Sequence, residues 1–574
     1  MPDDSAFEEL SLEARGVGAA PIARHFFDRL ELDRLLETYV IEKRRGRQSK
    51  VSHAKAISVM VMNALLSRQP LYVVPQWLDT YVLSHFGINE SQAKLFNDDR
   101  IGRALDRLYE LDPASLMTAV AAKAVREFDL DLSQIHNDTT TVTVSGRYRN
   151  QKKRQPRPPL ITFGHNKDHR PDLKQLVYSL TICADGAVPV HYKTYDGNTT
   201  DDKTHQDTWA AICKLQGGPD FVYVADSKLC TRENMAFIHS QGGRFVTVMP
   251  RTRKEDEEFR ERLREGEDPV EWIEVWRKPD PDSKFAPDHV YWAYDPPSRT
   301  SDGYRLIWYR SSVKIVLDER RRADRMRRAR QRIRELQERT GAHAFKSVER
   351  AREAAQKVLQ EERAERWIDV DVEQHMARDF KQTTPGRPGR NTTYRKVDIP
   401  VILFHAEDNA EAIQADARCD GVFGMVTCIE ADKSDARDIL KMYKYQPFLE
   451  KRNEQLKSVL SVAPVFLKSP KRVAALLFVY FLAVLVFALI ERELRLRMKK
   501  AGIESLPLYP EQRLCKAPTT AVINQAVEGH RRSRLLDSKG NEIRVFHDPV
   551  GRTQKDMLRL LGIDLRHYGL TRRR

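Results

Sequence analysis

The chain has few cysteines, and no two of them lie at the spacing of a metal or redox pair. Six are scattered through 574 residues: Cys183, Cys213, Cys230, Cys419, Cys428 and Cys515. Neither a disulfide framework nor a zinc site is expected, and the thiols are predicted to be reduced. The N-terminus lacks the basic and then apolar pattern of a secretory signal. These absences favour a cytoplasmic protein.

Negative charge is scarce relative to positive charge. Charged residues make up 31% of the chain, and the formal net charge is +15. Such an excess favours a polyanionic partner, with nucleic acid as the first candidate. A basic protein without such a partner is the alternative. The length is sufficient for several domains and at least one large core.

Long apolar runs are also rare, and residues 473–490 form the single one of membrane-spanning length. The run is at the minimum length for a span, and basic residues flank both of its ends. A helix covered on all sides by a large domain is apolar all round for the same reason. We therefore expect a buried core helix, with a membrane span as the alternative.

Each of two apolar stretches is associated with one aspartate. Asp138 lies in the β-branched run IHNDTTTVTV, and Asp226 follows the apolar residues 221–225. A carboxylate in a half-buried strand is costly unless a cation holds it. Taken alone, Asp138 is better explained as the cap of a turn just before the strand. Two strands of the same design predict two carboxylates that converge on a divalent metal.

The segment around these aspartates has the predicted order β-β-β-α-β-α-β. The first three strands can form an antiparallel meander, with Asp185 and Gly186 at a hairpin turn, whereas the later strands need helical crossovers. This is the order of ribonuclease H-like folds, in which the first and fourth strands carry metal-binding aspartates.

A third acidic candidate lies far along the chain, in the pattern Tyr443-x2-Gln446-x3-Glu450-x6-Lys457. Residues at these spacings share one face of a helix. Pro447 interrupts the helix, which places Glu450 in the first turn after it. A surface ion pair of Glu450 with a neighbouring cation is the alternative.

The remaining sequence suggests five regions. They are a helical N-terminal domain (1–130), a first core part (131–250), an insertion with long charged helices (251–419), a second core part (420–500) and a helical C-terminal tail (501–574). The N-terminal helices either bind DNA or only support the core. The charged helices at 318–367 are either a solvated hairpin or an arm on DNA. Residues 385–396 are predicted to be a loop.

Five stretches together resemble the insertion-sequence DDE transposases: IHNDTTTV, YDGNTTD, FVYVADSKL, GVFGMVT and YKYQPFLEKRNEQLK. The subgroup is the one whose last acidic residue lies in a Tyr-x2-Arg-x3-Glu-x6-Lys motif, and the resemblance covers roughly residues 22–563. It implies an α/β fold with a ribonuclease H-like mixed-sheet core. The family also has an apolar helix after this motif, which supports burial of residues 473–490.

The resemblance implies a catalytic, metal-binding triad of Asp138, Asp226 and Glu450. Tyr443, Gln446 and Lys457 would contact DNA, and Gln446 stands where the family usually has arginine, so that contact has no charge. Two Mg²⁺ ions, about 3.5–4 Å apart, would be held by oxygen ligands, and Mn²⁺ could substitute.

The implied activity is cleavage at transposon ends and strand transfer into target DNA, by a homodimer associated with the bacterial nucleoid. Two alternatives stay open: an inactive DNA-binding relic, motivated by Gln446, and a membrane-anchored DNA-binding protein.

Overall fold

The computed structural model describes residues 10–42, 49–111, 113–148, 157–165, 171–266, 270–279, 287–339, 345–462 and 467–570. Its strands, labelled in chain order, are β1 (Ser11–Gly16), β2 (Gln134–Val144), β3 (Lys174–Cys183), β4 (Pro189–Tyr195), β5 (Val222–Ala225), β6 (Arg244–Val248), β7 (Ile273–Lys278), β8 (His289–Tyr294), β9 (Arg305–Ser311), β10 (Ile368–Gln382), β11 (Tyr394–Asp408), β12 (Val422–Thr427), β13 (Arg531–Leu536) and β14 (Glu542–His547).

The helices are α1 (Ala20–Arg29), α2 (Leu32–Tyr39), α3 (His53–Leu66), α4 (Val74–Asp79), α5 (Glu90–Ala93), α6 (Asp98–Glu110), α7 (Pro113–Phe128), α8 (His205–Gln216), α9 (Arg232–Ser240), α10 (Lys254–Glu265), α11 (Ser312–Gln337), α12 (Val348–Glu362), α13 (Ala410–Ala417), α14 (Ala436–Tyr443), α15 (Gln446–Val462), α16 (Pro470–Lys500), α17 (Thr520–Val527) and α18 (Arg552–Leu561). The protein is thus a mixed α/β structure.

The chain divides into two compact units. The first combines Met1–Thr247 with Lys441–Arg574, and the second is Val248–Leu440. The second unit therefore extends past residue 419, where the predicted insertion ends. The reason is that β12 pairs antiparallel with β9, and both strands lie within Val248–Leu440.

In the first unit the strands run in the order β4-β3-β2-β5-β6. β2, β3 and β4 form the predicted antiparallel meander. β5 then pairs parallel with both β2 and β6, after crossovers through α8 and α9. The tight turn between β3 and β4 uses Gly186 at a φ of +79°, a conformation that favours glycine. The predicted order of strands and helices is confirmed.

Helix α16 forms the centre of the first unit. Every residue from 475 to 494 is buried, and the helix packs on α1, α3, α6, α15, α17, α18 and β4. By length and composition α16 could cross a membrane, yet 94% of its most apolar window is buried by protein. The predicted burial of this helix is confirmed, and the membrane-anchored alternative loses the observation that motivated it.

The two ends of the described chain meet in a small sheet of order β1-β13-β14. Ser11 of β1 is opposite Leu536 of β13, and β13 continues into β14 as a hairpin. The prediction of a purely helical C-terminal tail is therefore wrong for residues 531–547. Half of the strand RRSRLL is arginine, so its sequence carries little of the apolar alternation of a half-buried strand.

In the second unit the strands run in the order β12-β9-β8-β7, and β10 pairs with β11 as a separate ribbon. The predicted charged helical hairpin is present as α11 and α12. Many of its arginines are used internally: Arg322 binds Asp420 at 2.7 Å, and Arg328 binds Glu362 at 2.8 Å. These ion pairs favour the solvated hairpin over an arm on DNA.

Candidate active site

The two aspartates directly follow the paired part of two neighbouring parallel strands. Asn137 of β2 is opposite Ala225 of β5 in the last pair; Asp138 is the next residue within β2, and Asp226 is the first residue after β5. Both carboxylates are partly exposed. Parallel strands deliver their carboxyl ends to one edge of a sheet, which is where α/β proteins place ligand sites.

The end of β5 is fixed by local hydrogen bonds. The Oδ1 of Asp226 accepts from the backbone N–H of Lys228 at 3.0 Å, which closes a turn. The carbonyl of Asp226 accepts from the hydroxyl of Thr247, on β6, at 2.7 Å. These two contacts hold the backbone and side chain of Asp226 in place.

Helix α15, which carries the third acidic candidate, packs on β2. It begins at Gln446, with Pro447 in its first turn, as predicted, where the missing N–H costs nothing. Gln446 and Asn453, seven residues apart on one face, both contact β2. Glu450 lies between them on that face, is exposed, and follows Gln446 by one turn.

Asn453 is a site residue that sequence reasoning missed. Its Nδ2 donates to the Oδ2 of Asp138 at 3.2 Å, while its own Oδ1 is buried with no hydrogen-bond partner in the described part of the chain. Its spacing of three residues after Glu450, on the helix face that carries Gln446, was the available signal. Asn453 orients Asp138 and leaves a buried oxygen acceptor beside it.

Tyr443 is influenced by all three acidic candidates. Burial, and after it the negative charges of Asp226, Glu450 and Asp138, raise the pKa of its phenol to about 12. One phenol therefore lies within electrostatic range of all three acidic candidates. The residues predicted from distant parts of the chain are thus brought to one region of the first unit.

Gln446 does not lie where a DNA contact would place it. Its side chain is 6% exposed; its Oε1 pairs with His136 Nδ1 at 2.8 Å, and its Nε2 donates to the carbonyl of Asn137 at 3.3 Å. Both ends of the amide are thus used inside the protein, contrary to our prediction. The residue instead fixes the start of α15 on β2. Lys457 lies further along α15 and is partly exposed.

His136 completes this buried contact as a neutral ring. Burial lowers its pKa to about 4, although the hydrogen bond with Gln446 acts in the opposite direction. Because the Gln446 oxygen can only accept, Nδ1 carries the proton, and Nε2 accepts from Gln134 at 2.7 Å. The histidine is thus a structural link between β2 and α15.

Buried charge anchors the same helix on its other side. Arg452 pairs with Glu491 of α16 at 2.9 Å, with the two side chains 4% and 3% exposed, and also donates to the carbonyl of Ala187 at 3.0 Å. This cation is therefore committed to α16 and the β3–β4 turn. The alternative of a surface ion pair between Glu450 and a neighbouring cation is therefore wrong for Arg452, and for Lys451 it stays a prediction.

The oxygen atoms of the site are the type of ligand that a hard divalent cation prefers. Within the described residues, no group of three or more His, Cys, Asp or Glu side chains could hold one ion. Mg²⁺, however, commonly takes one or two carboxylates and completes its shell with water and substrate phosphates. Asp138 and Asp226 supply carboxylates of that kind, and the Asn453 side chain that contacts Asp138 carries a buried oxygen without a hydrogen-bond partner in the described residues.

Comparison with known proteins adds little to this picture. Residues 13–122 match a family described as Domain of unknown function (DUF4277), which ends before β2 and covers less than half of the chain. No curated protein matches the chain.

Among solved structures, the chain is similar to a piggyBac transposase in a synaptic complex with hairpin DNA, determined by cryo-EM. The identity is 10% and the TM-score is 0.26, over 48% of this chain and 58% of that one. A similarity this low carries no argument about function, and the match spans little more than half of that transposase.

Proposed function

We propose that the protein is a DDE-type transposase with a ribonuclease H-like core, which cuts and rejoins DNA with the help of Mg²⁺. The observation that supports the proposal is the register of β2 and β5, in which Asp138 and Asp226 follow the last paired residues, together with the contact of Asn453, on the helix that also carries Glu450, with Asp138. Three carboxylates from distant parts of one chain, with no nucleophilic thiol or hydroxyl needed, suit phosphodiester hydrolysis and transfer.

The proposed residues have distinct roles. Asp138, Asp226 and Glu450 would hold the metal, with Mn²⁺ as a substitute. When bound, the metal would lower the pKa of water and stabilise the leaving oxygen. Asn453 keeps the Asp138 carboxylate oriented, and the His136–Gln446 contact keeps α15 in register with β2.

The reaction has two steps. Water adds to the phosphorus at a transposon end, and the P–O3′ bond breaks to release a 3′-hydroxyl and a 5′-phosphate. That hydroxyl then attacks a phosphate of the target strand and displaces its 3′-oxygen. The partner is therefore double-stranded DNA. Because two transposon ends must be held together, we expect a homodimer, in the bacterial cytoplasm.

A cleavage assay tests the proposal. The full chain is incubated with Mg²⁺ and a labelled duplex that carries the DNA flanking its own coding region, including any inverted repeat. We expect nicking at the repeat boundary and, with a target plasmid, strand-transfer products. Asp138→Asn, which keeps the size of the side chain, is the matched control and should give neither product.

Two outcomes would contradict the proposal. If Asp138→Asn cleaves the duplex as fast as the unaltered chain, the Asp138 carboxylate is not needed and the proposed mechanism is wrong. Tight binding to the duplex without any cleavage by the unaltered chain would favour the inactive DNA-binding relic instead.

A further inference from the structure

A two-stranded ribbon in the second unit is anchored in a core, among the described residues, at one of its two ends. At its base, Ile368 and Val372 of β10 and Phe404 of β11 are buried in a cluster formed mainly by α11 and α12. The backbone N–H of Phe404 also donates to Gln337 of α11 at 3.1 Å. The base of the ribbon is therefore part of a hydrophobic core.

Beyond this base the ribbon leaves the core. No residue from 373 to 403 is buried, although the pairing continues without interruption from Gln374 opposite Ile402 to Gln382 opposite Tyr394. At the usual rise per residue, these paired residues span about 27 Å. We call residues 374–402 the arm.

Charge is segregated along the ribbon. The base carries Asp369, Asp371, Glu373 and Glu407 on one face, because these residues alternate along paired strands. The arm carries six exposed cations and only two acids, Asp379 and Asp398; the cations are Arg378, Lys381, Arg387, Arg390, Arg395 and Lys396. Within the described residues none of the six forms an ion pair, in contrast to Arg322 and Arg328 of α11.

Large apolar side chains are exposed among these cations. Met376, Phe380 and Tyr394 are 63%, 65% and 50% exposed. Phe380 is opposite Lys396, and Tyr394 is opposite Gln382, so all three apolar residues share one face of the ribbon with Lys396. An exposed face that alternates cations with aromatic rings marks a surface for a partner that is both anionic and partly apolar.

We propose that the arm is a contact surface for duplex DNA, and that the ribbon lies in the major groove. A two-stranded ribbon fits that groove, which is about 12 Å wide. The arginines and lysines meet phosphates and base edges, and the aromatic face meets sugars and thymine methyl groups. The acidic base repels phosphate and so limits how far the ribbon enters. The inference rests on the proposed function for the identity of the polyanion.

Binding measurements test the arm apart from catalysis. The full chain is titrated with a fluorescein-labelled 30-base-pair duplex in EDTA, at several salt concentrations, and anisotropy is recorded. The arm variant is Arg387→Ala, Arg390→Ala, Arg395→Ala and Lys396→Ala. We expect affinity to fall at least about tenfold at low salt, and the slope of log K against log salt to flatten by about 2 to 4.

A charge-matched variant controls for the loss of net charge. It carries Lys254→Ala, Lys539→Ala, Arg552→Ala and Arg559→Ala, all exposed positions outside the arm. We expect its salt slope to change by less than about 1. If the two variants bind alike, the arm is not the contact surface.

Two further measurements sharpen the outcome. Phe380→Ser with Tyr394→Ser should weaken binding without changing the salt slope, because no counterion release is lost. If sedimentation shows that the arm variant loses self-association while DNA binding is unchanged, the arm contacts a second copy and the inference is overturned.

The two proposals fail separately. If DNA binding depends on the arm but the chain never cleaves DNA, the arm is a DNA contact surface and the transposase proposal is wrong. If the chain cleaves DNA but its binding does not depend on the arm, the transposase proposal stands and the inference about the arm is wrong.

Discussion

The candidate active site and the arm use charge in opposite ways. The acidic site is surrounded by internal contacts: Asn453 holds Asp138, Gln446 holds His136, and Arg452 is committed to Glu491. The cations of the arm have no such partners among the described residues. The contacts at the site hold its side chains in fixed positions, whereas the cations of the arm are exposed and available to a binding partner. Changes at the site should therefore affect rate or fold, and changes on the arm should affect salt-dependent affinity.

The largest effect is expected from the carboxylates. Asp138→Asn or Asp226→Asn should lower Mg²⁺-dependent cleavage by at least about 10³-fold, because each removes a negative ligand that no neighbour replaces. DNA affinity in EDTA and its salt slope should stay at the values of the unaltered chain. A parallel loss of affinity would break the distinction between site and arm.

A smaller effect is expected from the residue that orients Asp138. Asn453→Ala should reduce cleavage by about 10- to 100-fold and raise the Mg²⁺ concentration needed for half-maximal rate. A matched change on the exposed side of the same helix, Glu454→Ala, should leave both values unchanged. A lower rate with an unchanged Mg²⁺ requirement would mean that Asn453 acts only on the fold.

The buried contact behind the site should contribute to stability. Gln446→Leu leaves the N–H of His136 and the carbonyl of Asn137 without their partner, which should cost about 1–3 kcal/mol of unfolding free energy. Urea denaturation measures the change, again with Glu454→Ala as the control. If Gln446→Leu is as stable as the unaltered chain but binds DNA more weakly, Gln446 contacts DNA after all.

The last effect is a pH dependence of stability from histidines outside the site. Burial lowers the pKa of His191 and His205 to about 4 each, below the 6.5 of an exposed ring. The unfolded chain therefore takes up protons first as the pH falls. Stability should be complete above about pH 6.5 and decline towards pH 4, by up to about 1.4 kcal/mol per pH unit for each histidine.

Denaturation at pH 7.5 and 5.0 measures this decline. Carboxylates such as Asp196, whose pKa is lowered by Arg157, lose their contribution only at lower pH. His191→Leu removes one titrating ring whose Nδ1 lacks a partner in the described residues, so its decline should be shallower. If the stability of His191→Leu falls with pH as steeply as that of the unaltered chain, His191 does not contribute to the pH dependence.

Sequence reasoning was most successful where pattern and local geometry agree. The apolar run that carries Asp138, the apolar run that precedes Asp226 and the helical spacing of Gln446 and Glu450 all depend on short-range periodicity. The burial of residues 475–494 followed from their uniformly apolar composition. Asn453 was missed because its spacing of three residues after Glu450 points to the site only once Asp138 is known to contact that face of the helix.

The failures involve strands that depend on distant partners. β13 pairs with β1, more than 500 residues away, and its charged sequence gives no alternation of its own. β10, with the sequence IDVDVEQHMARDFKQ, is exposed along most of its length, so no apolar face marks it. The predicted loop at 385–396 also included Tyr394, Arg395 and Lys396, which belong to β11.

The central position of α16 has a consequence for biosynthesis. The helices α3 and α6, which pack on it, leave the ribosome about 400 residues before it does. At typical rates of translation, their apolar faces wait roughly 20–80 s for the partner that covers them. A nascent chain that stops before Pro470 is therefore expected to aggregate or to be held by chaperones, whereas the finished chain buries those faces itself.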